Sequence, residues 1–521
     1  MKTDIAVVGA GHNGLVAAAL LAEAGLEVHV FEQKSQVGGA VKTERPFQKV
    51  PDLQHSTGAY LLGLTPPELL ARLEVELPII RRDPHYFLPR RSEGYLLFGS
   101  DEEATRRQFV EFFSEADWEA DRRLQRELDK LRDDVGPTWL AEPLSIEETA
   151  ERHVRPELRE TFVDLCRNPV GEYLERFGFE SDLVKAMYAV TDGFTGSASS
   201  WDEGASGMNF LIHNMCRMPR ARGVWSLVRG GMGTVSRALA DAARERGAHI
   251  ETGAAVATIE SHAGSATGVV LGDGRRIDSN AVLVNADPFR MRDLVGRDAL
   301  PHDYLAQLDE WYRDGTTLKV NLALSDLPAF DCLPTDEGQF GTTIHILPRE
   351  DVVMDELDRA WDAVGRGALP DFPSIEWYIH TPSDPTLSDP DGHHSSALFV
   401  QWVPYELADG NWEDEAEAYA RKLLSICDEF APGTSDLVAD VSVLHPKKIE
   451  EHFGITAGHI HHIDNVFGFD ERHPYSAPLD GLYSCSAGCH PGGSVIGAAG
   501  HNAAVAIGRD LGRPVRPANS D

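Results

Sequence analysis

Cysteine is scarce in this chain of 521 residues: there are six, Cys166, Cys216, Cys332, Cys427, Cys485 and Cys489, and no two form a Cys-x-x-Cys pair. That excludes a disulfide framework and fits buried thiols in a reducing compartment. Long apolar runs are missing too. No stretch of 18 apolar residues occurs, and the first residues form a strand bearing Asp4 instead of a basic region and apolar core. Neither a transmembrane helix nor a signal peptide is expected, which predicts a soluble, cytoplasmic protein. Basic charge is short: 48 basic residues face 83 acidic ones, a net charge of −35. Such a field repels nucleic acid and anionic bilayers, so neither is an expected partner. Only ten of the basic residues are lysine, which fits a high-salt source as well as a GC-rich genome. Hydrophobic content of 42% is that of a globular protein, and the length calls for two domains.

What is present begins at once. Ile5 to Val8 reads as an apolar strand running into Gly9-Ala10-Gly11-x-x-Gly14, then a helix with Ala17, Ala18 and Ala19, then a strand from Val28 to Phe31 that ends in Glu32. Gly9 makes the tight turn, Gly11 lets backbone approach a pyrophosphate, and Gly14 lets helix and strand touch. The helix N-terminus offers free N–H groups to phosphates. Glu32 stands where an acid receives ribose hydroxyls, and its charge would repel a 2′-phosphate. The grip therefore suits FAD or NAD better than NADP. Residues 481–504 form a matching end: an apolar strand, a glycine-rich loop holding Gly488, His490, Gly492 and Gly493, and a small-residue helix.

The chain resembles the phytoene-desaturase-like FAD flavoproteins, and within them the pyridine nucleotide-disulphide oxidoreductase domain-containing protein 2 branch. The resemblance is carried by the N-terminal grip with Gly38-Gly39-Ala40, by His55 to Leu64, by Arg229-Gly-Gly-Met-Gly-Thr234, and by His490-Pro-Gly-Gly493 with its helix. Asn285-Ala-Asp-Pro288, Thr381 to Pro385 and Gln401 to Tyr405 fit the same branch. The likeness spans nearly the whole chain. It implies an α/β, two-domain glutathione-reductase-like fold: a Rossmann-type FAD domain and a mixed α+β substrate domain. It also implies FAD as cofactor, bound through Gly9, Ala10, Gly11, Gly14, Glu32, Gly38, Gly39, Thr43, Val256, Gly488, Gly492 and Gly493. Two departures stand out. Ala40 replaces the arginine that carotene desaturases and amine oxidases carry after the paired glycines, and no redox cysteine pair follows the grip.

By the same analogy the FAD domain is assembled from residues 1–75, 225–300 and 445–521, and the substrate domain from 76–224 and 301–444. Strand patterns at 317–324, 342–347, 375–380 and 397–405 predict a mostly antiparallel substrate sheet. Trp377, Tyr378, Trp402 and Tyr405 lie on it, and period-two alternation turns only half of them inward. Residues 101–135 read as a charged cap-helix pair. Met208, Phe210, Met215, Met218 and Trp225 read either as plain core or as the lining of an apolar tunnel.

A flavin carries the hard redox step itself, so no conspicuous acid–base pair is required. His490 is the candidate catalytic residue, with loop support as its alternative role. His459, His461 and His462, with Asp464, complete no zinc spacing, so no metal is expected. One dinucleotide fingerprint predicts reoxidation by oxygen, a quinone or another acceptor in preference to a bound nicotinamide. The expectation is an FAD-dependent oxidoreductase taking hydride equivalents from a hydrophobic organic substrate by carbon–carbon desaturation. The alternatives are carbon–nitrogen oxidation, and a flavoprotein with a regulatory or interaction role. Oligomeric state is not set by the sequence.

Overall fold

The computed structural model describes residues 2–91 and 93–518. Strand β1 (Lys2–Val8), helix α1 (His12–Glu23) and strand β2 (Val28–Glu32) form the expected strand–helix–strand unit. β1 is central in a seven-stranded sheet. β2 and His249–Thr252 lie on one side, and Arg276–Val284, Ser265–Leu271 and Val256–His262 lie on the other. Leu482–Ser484 pairs in parallel with the end of Arg276–Val284, which brings the C-terminal segment to the mouth of β1. Ile5, Ala6 and Val7 are fully buried because both faces of the sheet are covered, the condition under which parallel strands read as continuous apolar runs.

α1 is buried from Asn13 to Ala22 instead of along one stripe. It is wedged between the sheet and the helices Gly233–Glu245 and Ala498–Asp510, and its alanines permit the close approach. A side chain at Gly500 would collide with the carbonyl of Asn13.

The second sheet also has seven strands, in the order Val438–Leu444, Thr317–Leu324, His394–Gln401, Ser374–Ile379, Thr343–Ile346, Tyr86–Pro89, Tyr95–Phe98. Its pairs are antiparallel except Thr343–Ile346 with Tyr86–Pro89. One face carries Leu318, Val320, Leu398, Val400, Ile375, Trp377 and Ile344 and packs on helix Trp412–Asp428. The opposite face looks toward the first sheet. Trp377 therefore belongs to the apolar core and Tyr378 to the interior cavity, while Trp402 packs against Phe194 and Trp361. Tyr405 is half-buried and donates its hydroxyl to Glu450.

Helices Glu102–Phe112 and Glu115–Val135, capped by Asp101 and Ser114, bury Phe109, Leu124, Leu128 and Leu131. Met208, Phe210, Met215 and Met218 are core residues, the first of the two readings, and of that set only Trp225 lines the cavity. Helical spacing reports which residues are buried, not what they are buried against.

Candidate active site

A single cavity of about 570 Å³ runs from the glycine turn after β1, past the C-terminal loop, to the inner face of the second sheet. Its first end is the dinucleotide grip. Gly9, Gly11, Glu32, Gly38 and Gly39 all line it, as does Val256 at the start of its strand. α1 begins with no side-chain cap and no acid in its first turn, so its N–H groups and dipole face the cavity uncompensated. The Glu32 carboxylate accepts from the Ala10 and Lys34 amides, each at 2.9 Å, which fixes it at the end of β2. This arrangement fits an adenosine diphosphate moiety laid across the turn, with Glu32 at its ribose.

The glycines have further reasons to be glycine. A Cβ at Gly14 would lie 2.5 Å from the Gly9 carbonyl, the close packing the spacing suggested. A Cβ at Gly11 would lie 2.5 Å from Nδ2 of Asn285, so this position is closed by a neighbouring side chain as well as by any ligand. Thr43 does not line the cavity; its hydroxyl donates to the Gly230 carbonyl and accepts from the Gly233 amide, joining the two glycine segments.

The C-terminal loop reaches the cavity through Ala487, Ser494 and Val495. Gly488, Gly492, Gly493 and His490 lie behind that surface. His490 is buried with its ring 5.4 Å from that of Phe469, and burial pulls its pKa down to about 3. His490 thus packs against Phe469 and is not among the residues lining the cavity. Gly493 has no room for a side chain because the ring of His461 lies against it. His461 and His462, which a strand would have pointed apart, both line the cavity because the chain turns here and His462 adopts φ +63°. Arg472 holds this turn from within. Its guanidinium donates to the carbonyls of Asp464 (3.0 Å), Phe467 (2.8 Å), Ile463 (2.8 Å) and Ala487 (2.9 Å).

The far end is where sequence reading fell short. Lys319, Glu376, Tyr378, Thr343 and Tyr86 project from the second sheet, facing Thr191, Asp192, Thr195 and His213. Lys319 is 5% exposed, Glu376 3% and Asp192 5%. Burial, countered only partly by Glu376, lowers the Lys319 pKa to about 7. Burial raises Glu376 to about 7 against hydrogen bonds from Tyr378 and Thr195; it raises Asp192 to about 7, helped by repulsion from Glu376. His213 meets the Asp192 carbonyl through Nδ1 and the Ser494 hydroxyl through Nε2, both at 3.0 Å. A carbonyl only accepts, so Nδ1 carries the proton and Nε2 receives the Ser494 O–H. The available sequence signal was a lone charge at an inward position of an apolar strand: Lys319 in Thr317–Leu324 and Glu376 in Ser374–Ile379.

Residues 14–326 match the family model for flavin-containing amine oxidoreductases. The chain belongs to the flavin-containing amine oxidoreductase family. It is 33% identical to pyridine nucleotide-disulfide oxidoreductase domain-containing protein 2 of Mus musculus, over 98% of this chain and 94% of that protein. It is 26% identical to phytoene desaturase of Neurospora crassa, over 94% of this chain and 81% of that protein. Among solved structures, wild-type putrescine oxidase bound to putrescine superposes with a TM-score of 0.62 at 17% identity, covering 98% of this chain and 99% of that one. The expected branch and the two-domain FAD fold are both borne out. As a flavin-containing amine oxidoreductase family member, this chain is an FAD-dependent oxidoreductase.

Proposed function

We propose that the chain dehydrogenates a small organic molecule: a C–H bond at the inner face of the second sheet loses hydride equivalents, and a double bond forms. The observation that carries this reading is the continuity of the cavity, which joins the dinucleotide grip to a far end where Lys319 and Glu376 on the sheet face Asp192 on a helical turn. FAD, when bound, supplies the two-electron acceptor; the grip residues hold it, and the buried walls exclude water. Carbon–carbon desaturation is the first reaction to test, in keeping with the phytoene desaturase relative.

Reoxidation by oxygen, a quinone or another small acceptor is supported by the state of the second glycine loop. Its amides are already engaged: Gly230 donates to Asp384 (2.6 Å), Met232 to Ser56 (3.0 Å) and Gly233 to Thr43 (3.0 Å). A loop whose N–H groups are taken by side chains has none left to cradle a nicotinamide dinucleotide's phosphates. Six free thiols, five of them buried, suit a reducing cytoplasmic setting, and no helix among the described residues is long and apolar enough to cross a membrane. Anaerobic photoreduction of the purified holoprotein followed by addition of oxygen, a quinone or NADP⁺ tests the proposal. Fast reoxidation by oxygen or quinone is expected. A flavin inert to every acceptor would favour the regulatory role, and fast reoxidation by NADP⁺ alone would refute the acceptor assignment.

A further inference from the structure

Asp192 stands on the helical turn Ala189–Gly193 and lines the cavity, and its carboxyl is also held from behind. One of its oxygens accepts from the side-chain amide of Asn214 at 3.1 Å. Asn214 ends helix Ser206–His213, and its carbonyl accepts from the Nε–H of Arg132 at 2.7 Å. Arg132 belongs to the charged helix Glu115–Val135, one turn after Leu128 on the buried stripe, and of the basic residues on that helix it alone is buried. Its guanidinium then meets Asp129, an exposed residue one turn earlier that also pairs with Arg222 at 3.6 Å. A line of side chains thus runs from the surface to the cavity wall: Asp129, Arg132, Asn214, Asp192.

Burying a guanidinium is costly, and the inward face of this helix is otherwise served by leucines. What the arginine adds is positive potential one side chain away from Asp192, while Glu376 adds negative potential across the cavity. The cation favours the ionised carboxyl; burial and Glu376 favour the neutral one. Influences so opposed suit a group that must exist in both forms as it takes a proton. The other titratable groups around Asp192 do not change charge near neutrality. Burial raises the Tyr86 phenol and pushes the Cys216 thiol up to about 12, and it pulls His213 down to about 4, with the Nδ1–H of that ring donated to the Asp192 carbonyl. Glu376 is placed differently, since both of its oxygens accept from protein hydroxyls, those of Tyr378 and Thr195.

We propose that Asp192 accepts the proton that leaves the substrate as its C–H bond yields hydride, and that Arg132, acting through Asn214, is the positioning residue that orients this carboxyl and holds it ionised. The assignment rests on the dehydrogenase reading and deepens it. The C–H electron pair leaves with its hydrogen as hydride and goes to FAD. The bond from the adjacent atom to its own hydrogen gives up its electron pair to the new double bond, and that hydrogen passes as a proton to a carboxylate oxygen of Asp192. Atoms and charge then balance without a further reactant.

The test is the midpoint potential of the flavin in the FAD-loaded protein, measured by reductive titration against a reference dye at pH values on both sides of neutrality. A carboxyl that titrates beside the flavin changes the slope of potential against pH at its own pKa, because reduction and protonation are linked. The wild type is expected to break near pH 7, the value of about 7 to which burial and Glu376 push Asp192. Asp192→Asn should lose this break, and Glu376→Gln should keep it at lower pH. Arg132→Met should move it up by about one pH unit, as expected when an opposite charge is taken away. Arg132→Lys, which keeps the charge, should restore most of the shift, a rescue that loss of packing alone would not give. Asp129→Asn changes only an exposed side chain and strengthens the field of the guanidinium, so it should move the break down even if Arg132→Met fails to fold. An Asp192→Asn profile superimposable on the wild type overturns the proposal. So does a break unmoved in both Arg132→Met and Asp129→Asn. Because no organic substrate enters the measurement, a flavin that later proves inert to every C–H donor would refute the dehydrogenase reading and leave the linked ionisation standing.

Discussion

Replacing Arg472 by methionine should strongly destabilise this protein. The guanidinium is buried, and four of its hydrogen bonds, between 2.8 and 3.0 Å, run to the carbonyls of Ile463, Asp464, Phe467 and Ala487. Three of these acceptors belong to the turn that presents His461 and His462, and Ala487 itself lines the cavity. Hydrogen bonds to a charged group are worth about 1.5–3 kcal/mol each, so four give about 6 kcal/mol at the lower bound. Relief from holding a guanidinium out of water offsets part of that. The expected loss is on the order of 4 kcal/mol, close to a thousandfold in the folding equilibrium. Urea unfolding followed by far-ultraviolet dichroism, with flavin content measured on the same samples, checks it. Arg472→Lys, with at most three donors, should fall between the two. An Arg472→Met protein within about 1 kcal/mol of wild type and fully loaded with FAD would refute the idea that this arginine organises the loop.

Glu32→Ala should weaken FAD retention about tenfold with the fold intact, through loss of ribose hydrogen bonds and of the anchors to Ala10 and Lys34; equilibrium dialysis measures it, and full retention would make the carboxylate a bystander. Gly14→Val should yield protein without FAD or no folded protein, because the new Cβ meets the Gly9 carbonyl at 2.5 Å; near-stoichiometric flavin in that variant counts against the grip. His12 and His462 both line the cavity. Burial, and for His12 also repulsion from His462, holds each near pKa 4; around His462, Asp287 raises the value while His459, Arg472 and Arg290 lower it. A bound diphosphate would raise both values, so FAD binding should take up protons and its affinity should fall as pH rises through the bound-state pKa values. Calorimetry in buffers of different ionisation heat reads that uptake, and an affinity flat across neutral pH, or unchanged in His12→Gln with His462→Gln, would argue against imidazoles at the phosphates.

The Rossmann unit was legible because its requirements are local. A turn, a helix start and a strand end lie within about thirty residues, and each demands a particular residue type at a fixed offset. The antiparallel second sheet was legible for a similar reason, since alternation in Thr317–Leu324 and Ser374–Ile379 is written in consecutive residues. Local pattern also left roles open. His490 reads as a site residue because it opens a Pro-Gly-Gly loop, yet packing turns its ring onto Phe469, away from the cavity. The methionines at helical spacing, read as core or tunnel lining, lie in the core.

The chemistry at the far end was decided only by tertiary structure. Asp192 and Glu376 stand 184 positions apart in the chain, and Lys319 lies between them in sequence on a third element. No spacing rule links such residues; they meet because one wall of the cavity is a sheet face and the other a helical turn. Sequence determined that a dinucleotide is held, since backbone geometry for a pyrophosphate constrains neighbouring residues. What is held against it depends on side chains gathered from distant segments, and burial, which no single segment specifies, is what moves their proton affinities toward neutrality.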